Sequence, residues 1–188
     1  TKYGLGVGNG TDALYIALRS LDIGPGDEVI TTSNTAVPTV TAIVNAGAKP
    51  IFVDVDEFYL IDVKKIEKKI TKKTKAIMPV HLYGQSCDMD KINYIAKKHN
   101  IKVIEDCAQS HGALYKNKST GSLGDIGCFS FYPTKILGGY GDGGFITTNN
   151  EKLFDKMMRI RFLGMERTKM SSGHWNGKYY AIEHGTNS

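Results

Sequence analysis

The chain has 188 residues, 41% of them apolar and 10% aromatic, which is enough to bury a proper core in one domain. No apolar run approaches the 18 residues of a membrane span, and the opening TKYGLGVGNG lacks the basic start and apolar stretch of a secretion signal. The net charge of +5 comes largely from DVKKIEKKITKKTKAI, where no aromatic rings are interleaved to stack bases, so neither a nucleic-acid nor a membrane partner is expected. Cys87, Cys107 and Cys128 form an odd set without CxxC spacing; this argues against a disulfide framework and a zinc site, and fits a reduced cytoplasm.

In chain order, TDALYIALRSL reads as a helix with Leu14, Ala17, Leu18 and Leu21 on one side, and IGPGDEVITT as a turn feeding a strand. VPTVTAIVNAG reads as a helix ended by Gly47, KPIFVDV as a strand, and DVKKIEKKI as a helix with Val63, Ile66 and Ile70 inward. KAIMPV is a strand, MDKINYIAKKHN a helix and KVIEDC a strand. A loop through KNKSTGSLGD leads to the strands GCFSFY and GGFITT, then to the helix EKLFDKMMRIRFL. The stretch from Gly164 to Gly177 reads as a mobile loop. Strands alternating with helices predict a three-layer α/β/α fold on a mostly parallel sheet.

In such sheets ligands sit outside the carboxyl ends of the strands, which makes neighbours of NGTDAL, EDCAQSHGA and PTK. In NGTDAL, Gly10 permits close backbone approach, and the helix start offers an anion the N–H groups of Thr11 and Asp12; an ordinary cap by Asn9 or Thr11 explains the same residues. GLGVGNG is not a dinucleotide fingerprint, because the third glycine position holds Asn9 or Thr11. Asp106 ends an apolar strand, an expensive place for a carboxylate unless a cation meets it or it caps a turn. Lys135 lies between an aromatic run and the glycines of ILGGYGDGG; flanked by Phe129, Phe131 and Tyr132, it is expected to be buried and therefore paired, neutral or covalently used. His111 reads as an ordinary polar neighbour of the same loop. An amine, an acid for a pyridine nitrogen and a phosphate cradle together are the parts that a pyridoxal 5'-phosphate enzyme requires.

NGTDAL, EDCAQSHGA and SFYPTKILGGYGDGG, with the interval from Asp106 to Lys135, resemble the sugar-nucleotide aminotransferases of fold type I. The resemblance implies that residues 1–188 are a cofactor-binding large domain, incomplete at both ends, with a small carboxyl-terminal domain absent from the chain. It makes Lys135 the Schiff-base lysine and Asp106 the partner of the pyridinium nitrogen. Gln109 would lie near the cofactor's phenolic oxygen. Gly10, Thr11, Asp12 and Ser130 would receive the phosphate, and Asn187 would reach the phosphate of the neighbouring subunit of a homodimer with shared sites. Many relatives set an aromatic ring against the cofactor around NTAVPTV; here Ala36 and Val37 stand there, so stacking would be aliphatic, with Ala108 on the opposite face. No metal is implied.

The activity implied is transfer of an amino group from glutamate to a nucleotide-linked keto sugar. YPTKILGGYGDGG resembles relatives acting at C3 of a dTDP-3-keto-6-deoxyhexose more than those aminating C4 of UDP- or GDP-4-keto sugars. A dehydratase of the same superfamily is disfavoured, as those relatives typically lose the lysine. A cofactor-binding regulator that keeps the lysine is the non-enzymatic alternative.

Overall fold

A computed structural model describes residues 1–165 and 183–188. Nine strands and five α-helices alternate: β1 (Tyr3–Val7), α1 (Gly10–Ser20), β2 (Glu28–Thr32), α2 (Val37–Asn45), β3 (Lys49–Val53), α3 (Val63–Ile66), β4 (Thr74–Met78), α4 (Met89–His99), β5 (Lys102–Asp106), β6 (Leu114–Tyr115), β7 (Lys118–Ser119), β8 (Ile126–Ser130), β9 (Gly144–Thr148) and α5 (Glu151–Arg161), counted among the described residues. Seven strands form one sheet in the order β1-β9-β8-β5-β4-β2-β3. Only β9 runs against its neighbours β1 and β8, whereas the other pairings are parallel.

Both faces are covered, which gives the expected three layers. One core joins Ile16 and Leu18 of α1, Ile43 of α2 and Met157 and Ile160 of α5 to Ile104 of β5. The other joins Ile66 of α3 and Ile92 of α4 to Val103, the preceding residue of β5. Period-two alternation thus sends consecutive β5 side chains to opposite layers. Each fully buried aliphatic side chain contributes on the order of 1.5–3 kcal/mol, so the two layers are held by many comparable terms.

Several elements differ from the sequence expectation. β1 was not predicted, because Gly4 and Gly6 hide the alternation of buried Leu5 and Val7. The Phe145 ring of β9 lies over Gly4, where an added Cβ would come within 2.5 Å of the ring. The helix expected over DVKKIEKKI is one α-turn capped by Asp62, continued by a 3-10 turn at Glu67–Lys69; a short run dominated by lysines has only Ile66 fully buried to anchor it. The loop before β8 contains the β6–β7 hairpin, turned at Lys116 and Asn117, both with positive φ. The segment read as a mobile loop from Gly164 to Gly177 lies, after residue 165, outside the described residues.

Candidate active site

The carboxyl ends of β5 and β8 and the start of α1 and α2 enclose a cavity of about 570 Å³, lined among others by Thr11, Ala36, Thr39, Asp106, Ser130 and Lys135. Asp106 is the last residue of β5 and is 4% exposed. Its Oδ2 accepts from Thr39 Oγ1 at 2.7 Å and its Oδ1 from the Ala108 N–H at 3.1 Å. An ionised carboxylate can accept about four hydrogen bonds, so roughly half of the capacity of Asp106 is left at the cavity wall. Burial pushes its carboxyl above the usual range, and the bonds from Thr39 and Ala108 and the nearby His81 and Lys135 act against that rise.

Lys135 lines the same cavity but is half-buried, not buried as its neighbours suggested. β8 ends at Ser130, and the chain then leaves the sheet in tight turns, with Lys135 N–H bonded to the Tyr132 carbonyl and Gly139 N–H to that of Phe131. Tyr132 is 51% exposed as a result.

At the start of α1, Asn9 is the cap, and its Oδ1 accepts the Asp12 N–H at 2.8 Å. The Asp12 N–H, expected to face a phosphate, is therefore already bonded, and its carboxylate accepts from Ser188 Oγ at 2.6 Å. The N–H groups of Gly10 and Thr11 precede it in the first turn, which has no intrahelical acceptors. Gly10 serves packing: an added Cβ would lie 2.6 Å from Ser130 Cβ, so only glycine lets α1 rest on the end of β8. Ser130 Oγ accepts from the Tyr132 N–H at 3.3 Å and keeps its own proton for another partner.

Gln109 does not line the cavity; its Oε1 accepts the Tyr83 N–H at 2.9 Å. Asn187 is exposed and forms a backbone bridge with Phe162. Ala36 and Ala108 line the cavity, whereas Val37 is 76% exposed and faces an outer groove with Val40, Val44 and Phe52.

Two features were not read from the sequence. Thr39 touches the key carboxylate across 67 positions, and its place in the first turn of a helix carries no sign of that pairing. Glu105, beside Asp106 but facing the other layer, is fully buried with His81. Its oxygens accept from His81 Nε2 and the N–H groups of Gly121, Leu123 and Gly124 at 2.7–2.9 Å. The Cys87 N–H donates to His81 Nδ1, which leaves the Nε2 proton for Glu105. Cys107 completes a cluster with this pair, but the saturated Glu105 oxygens and occupied His81 Nδ1 leave only the Cys107 sulfur with lone pairs to offer, too few to hold a metal ion. His111 lies against Phe129 and Phe131, and neither ring nitrogen has a hydrogen-bond partner among the described residues. Burial lowers its pKa, the charge of Lys135 adds to the effect, and the nearby Ser130 backbone opposes it.

The cavity fits pyridoxal phosphate on its own chemistry: a helix start beside a serine hydroxyl for the phosphate, a buried carboxylate with spare acceptor capacity for a protonated ring nitrogen, and an amine on the wall.

The model of the DegT/DnrJ/EryC1/StrS aminotransferase family matches residues 1–188. The chain belongs to this family. Among curated members it is 54% identical to a pleiotropic regulatory protein of Geobacillus stearothermophilus, over 87% of this chain and 44% of the relative. It is 51% identical to the dTDP-3-amino-3,4,6-trideoxy-alpha-D-glucose transaminase of Micromonospora megalomicea, over 86% and 44%. It is 49% identical to the GDP-perosamine synthase of Caulobacter vibrioides, over 88% and 44%. Among solved structures, an aminotransferase from Psychrobacter cryohalolentis superposes with a TM-score of 0.93 at 46% identity, covering 100% of this chain and 48% of that one. NtdA from Bacillus subtilis with bound cofactor PMP has a TM-score of 0.85 at 39% identity, covering 99% and 40%. The chain thus spans less than half the length of each of these family members. The fold, a mostly parallel sheet between helices, is that of fold type I aminotransferases. No helix among the described residues is long and apolar enough to cross a membrane.

Proposed function

We propose that the whole protein is a cytoplasmic, homodimeric aminotransferase that uses pyridoxal phosphate to move an amino group from glutamate to C3 of a dTDP-3-keto-6-deoxyhexose. The observation that carries the reading is Asp106: a buried carboxylate with unused acceptor capacity, across a cavity from an amine and beside a helix start. PMP, found in one solved relative, is the amine form of the same cofactor.

Bound there, pyridoxal phosphate supplies an electron sink for the carbanion left when a proton leaves the donor's α-carbon. Lys135, on the cavity wall, would hold the cofactor through its amine and, when that amine is free, would move the α-proton of the donor. Asp106 keeps the ring nitrogen protonated, and the low-dielectric surroundings strengthen that attraction. The first N–H groups of α1 and the Ser130 hydroxyl orient the phosphate, with Asn187 serving the partner's site. Ala36 and Ala108, which line the cavity, would exclude water from the cofactor by aliphatic contact.

The choice of C3 rests on YPTKILGGYGDGG and is supported by the 3-amino sugar transaminase relative. Amination at C4 has the GDP-perosamine synthase relative behind it, and a regulatory role has the pleiotropic regulatory protein. The test uses the full-length protein loaded with pyridoxal phosphate. Borohydride is expected to fix the cofactor on the peptide holding Lys135, and glutamate to convert the bound cofactor to its amine form. A label on any other lysine removes the site; a correct label without conversion favours the regulator. Product analysis with dTDP-3-keto and GDP-4-keto sugars then separates C3 from C4.

A further inference from the structure

We propose that Thr39, backed by Thr35, is a positioning residue that fixes the orientation and ionised form of Asp106 toward the ring nitrogen of the cofactor. The proposal rests on the reading above of Asp106 as the cofactor's acid partner.

Both threonines depart from what their places in the chain would normally do. Thr35 stands just ahead of α2, where threonine commonly caps a helix, yet the cap position is Ala36 and makes no side-chain bond. Thr39 sits in the first turn, where a helical threonine commonly bonds back to a carbonyl four residues earlier. Instead Thr35 Oγ1 and Thr39 Oγ1 are 2.7 Å apart, and Thr39 Oγ1 is 2.7 Å from Asp106 Oδ2. Thr39 is 1% exposed, so water does not substitute for either contact.

The direction of the chain follows from counting protons. A hydroxyl has one, and an ionised carboxylate only accepts. The Thr39 proton is therefore committed to Asp106, and the Thr35 hydroxyl must donate to Thr39 Oγ1. If Asp106 is protonated on a cavity-facing lone pair, Thr39 donates to a neutral oxygen instead, a weaker bond than the charge-assisted one to a carboxylate. The pair thus favours the charged carboxylate and holds Oδ2 in place while Ala108 N–H holds Oδ1, which turns the remaining lone pairs to the cavity. Other groups around Asp106 are His81 and Lys135, Glu105 and Cys107 on its own segment, and Cys128 on β8; Asp12 and Asp142 line the same cavity.

The experiment compares full-length wild type with Thr39→Val, Thr39→Ser and Thr35→Val. In cofactor-free protein, the Asp106 carboxyl is titrated by ¹³C NMR; in protein loaded with pyridoxal phosphate, the pH transition of the cofactor absorbance and the single-turnover rate with glutamate are measured. Thr39→Val is expected to move the Asp106 titration upward, shift the absorbance transition and slow the single turnover about tenfold to a hundredfold, as for loss of one hydrogen bond to a charged group. Thr39→Ser is expected to restore all three readouts to within about threefold, and Thr35→Val to give a smaller effect of the same sign. A wild-type titration in both valine variants, or a serine variant as impaired as Thr39→Val, overturns the proposal. So does an NMR shift without change in absorbance or rate, since Asp106 would then be tuned to no purpose in the reaction. A wild-type protein that shows no response to pyridoxal phosphate and glutamate overturns the functional reading instead, and the cofactor-free titration still decides whether the hydroxyl chain controls Asp106. If Thr39→Val does not fold, Thr35→Val and Thr39→Ser carry the same comparison.

Discussion

Glu105 and Asp106 are consecutive, both carboxylates, both buried, and they serve opposite ends. Glu105 turns to the α3–α4 layer, where His81 and three backbone N–H groups use up its acceptor capacity. Asp106 turns to the α1–α2 layer and meets two donors and a cavity. A buried charge whose partners are all supplied by its own chain ties the fold together. One left half-satisfied is a cost that a ligand can offset, and this distinguishes a site from a brace more sharply than burial or residue type.

The largest expected effect comes from Asp106→Asn, which keeps the shape but removes the charge. In protein loaded with pyridoxal phosphate, the half-reaction with glutamate is expected to slow by roughly a hundredfold or more, as for loss of a preorganised electrostatic partner. Stopped-flow absorbance checks this, and equal rates would reduce Asp106 to a turn cap. The same substitution tests the sign of the burial argument. The folded pKa of Asp106 is raised, so the native state binds more protons than the unfolded state between the ordinary carboxylate pKa and the raised one, and stability falls as pH climbs through that window. Above it the ionised carboxylate is a burden. Cofactor-free Asp106→Asn is accordingly expected to melt higher than wild type at neutral pH, with the gain vanishing at low pH. Thr39 can accommodate the amide by reversing its hydroxyl. A lower melting temperature at neutral pH contradicts this.

Glu105→Gln should show the reverse profile. One carboxylate oxygen becomes an NH₂ facing donors, either Leu123 and Gly124 N–H or the His81 and Gly121 pair. Leaving two buried donors without acceptors is expected to cost about 2–4 kcal/mol of stability, read by urea denaturation. The rate with glutamate in folded, loaded protein is expected to stay within about fivefold of wild type. A large rate loss with intact stability would mean that Glu105 acts in the chemistry after all.

A smaller effect is expected from Gly10→Ala, which separates packing from chemistry within the site. The new Cβ cannot remain 2.6 Å from Ser130 Cβ, so the start of α1 must move away from β8 and loosen the phosphate cradle. Affinity for pyridoxal phosphate is expected to weaken by about tenfold or less, measured by fluorescence titration, with little change in the rate at saturation. Unchanged affinity would show that the phosphate does not sit there.

The strand and helix pattern was legible because most elements carry a readable pattern: α1, α4 and α5 bury a clear stripe, and β4 and β5 hold the short apolar runs of residues 76–78 and 103–104. β1 was missed where glycine replaced the outward residues, and the hairpin because strands of two residues have no period to read. Within the site, Asp106 and Lys135 announced themselves by chemistry out of keeping with their surroundings, whereas Ser130 entered only through the family resemblance. Thr39 and Glu105 did not announce themselves. A threonine in the first turn of a helix and a glutamate near a strand end are ordinary, and only the register between distant segments reveals what they touch. Gly10 was read as allowing close approach of a ligand, and the structure shows Ser130 in the space beside it, since sequence shows that a side chain is missing but not what lies where it would be.

The cavity walls come from residues 9–12, 36–39, 106–108 and 130–142, which the chain delivers from nearly every layer of the fold. None of these segments forms a half-site alone, because they lie far apart in the chain and meet only where β8 pairs with β5 in the sheet and α1 rests on the end of β8. Occupancy of the cavity therefore reports on assembly of these distant segments, and a ligand present at a hundred times its Kd would add about 2.7 kcal/mol to global stability by mass action. A chain still short of its native topology gains nothing from the ligand, so the supply of cofactor in the cell becomes a term in how much folded protein survives surveillance by proteases.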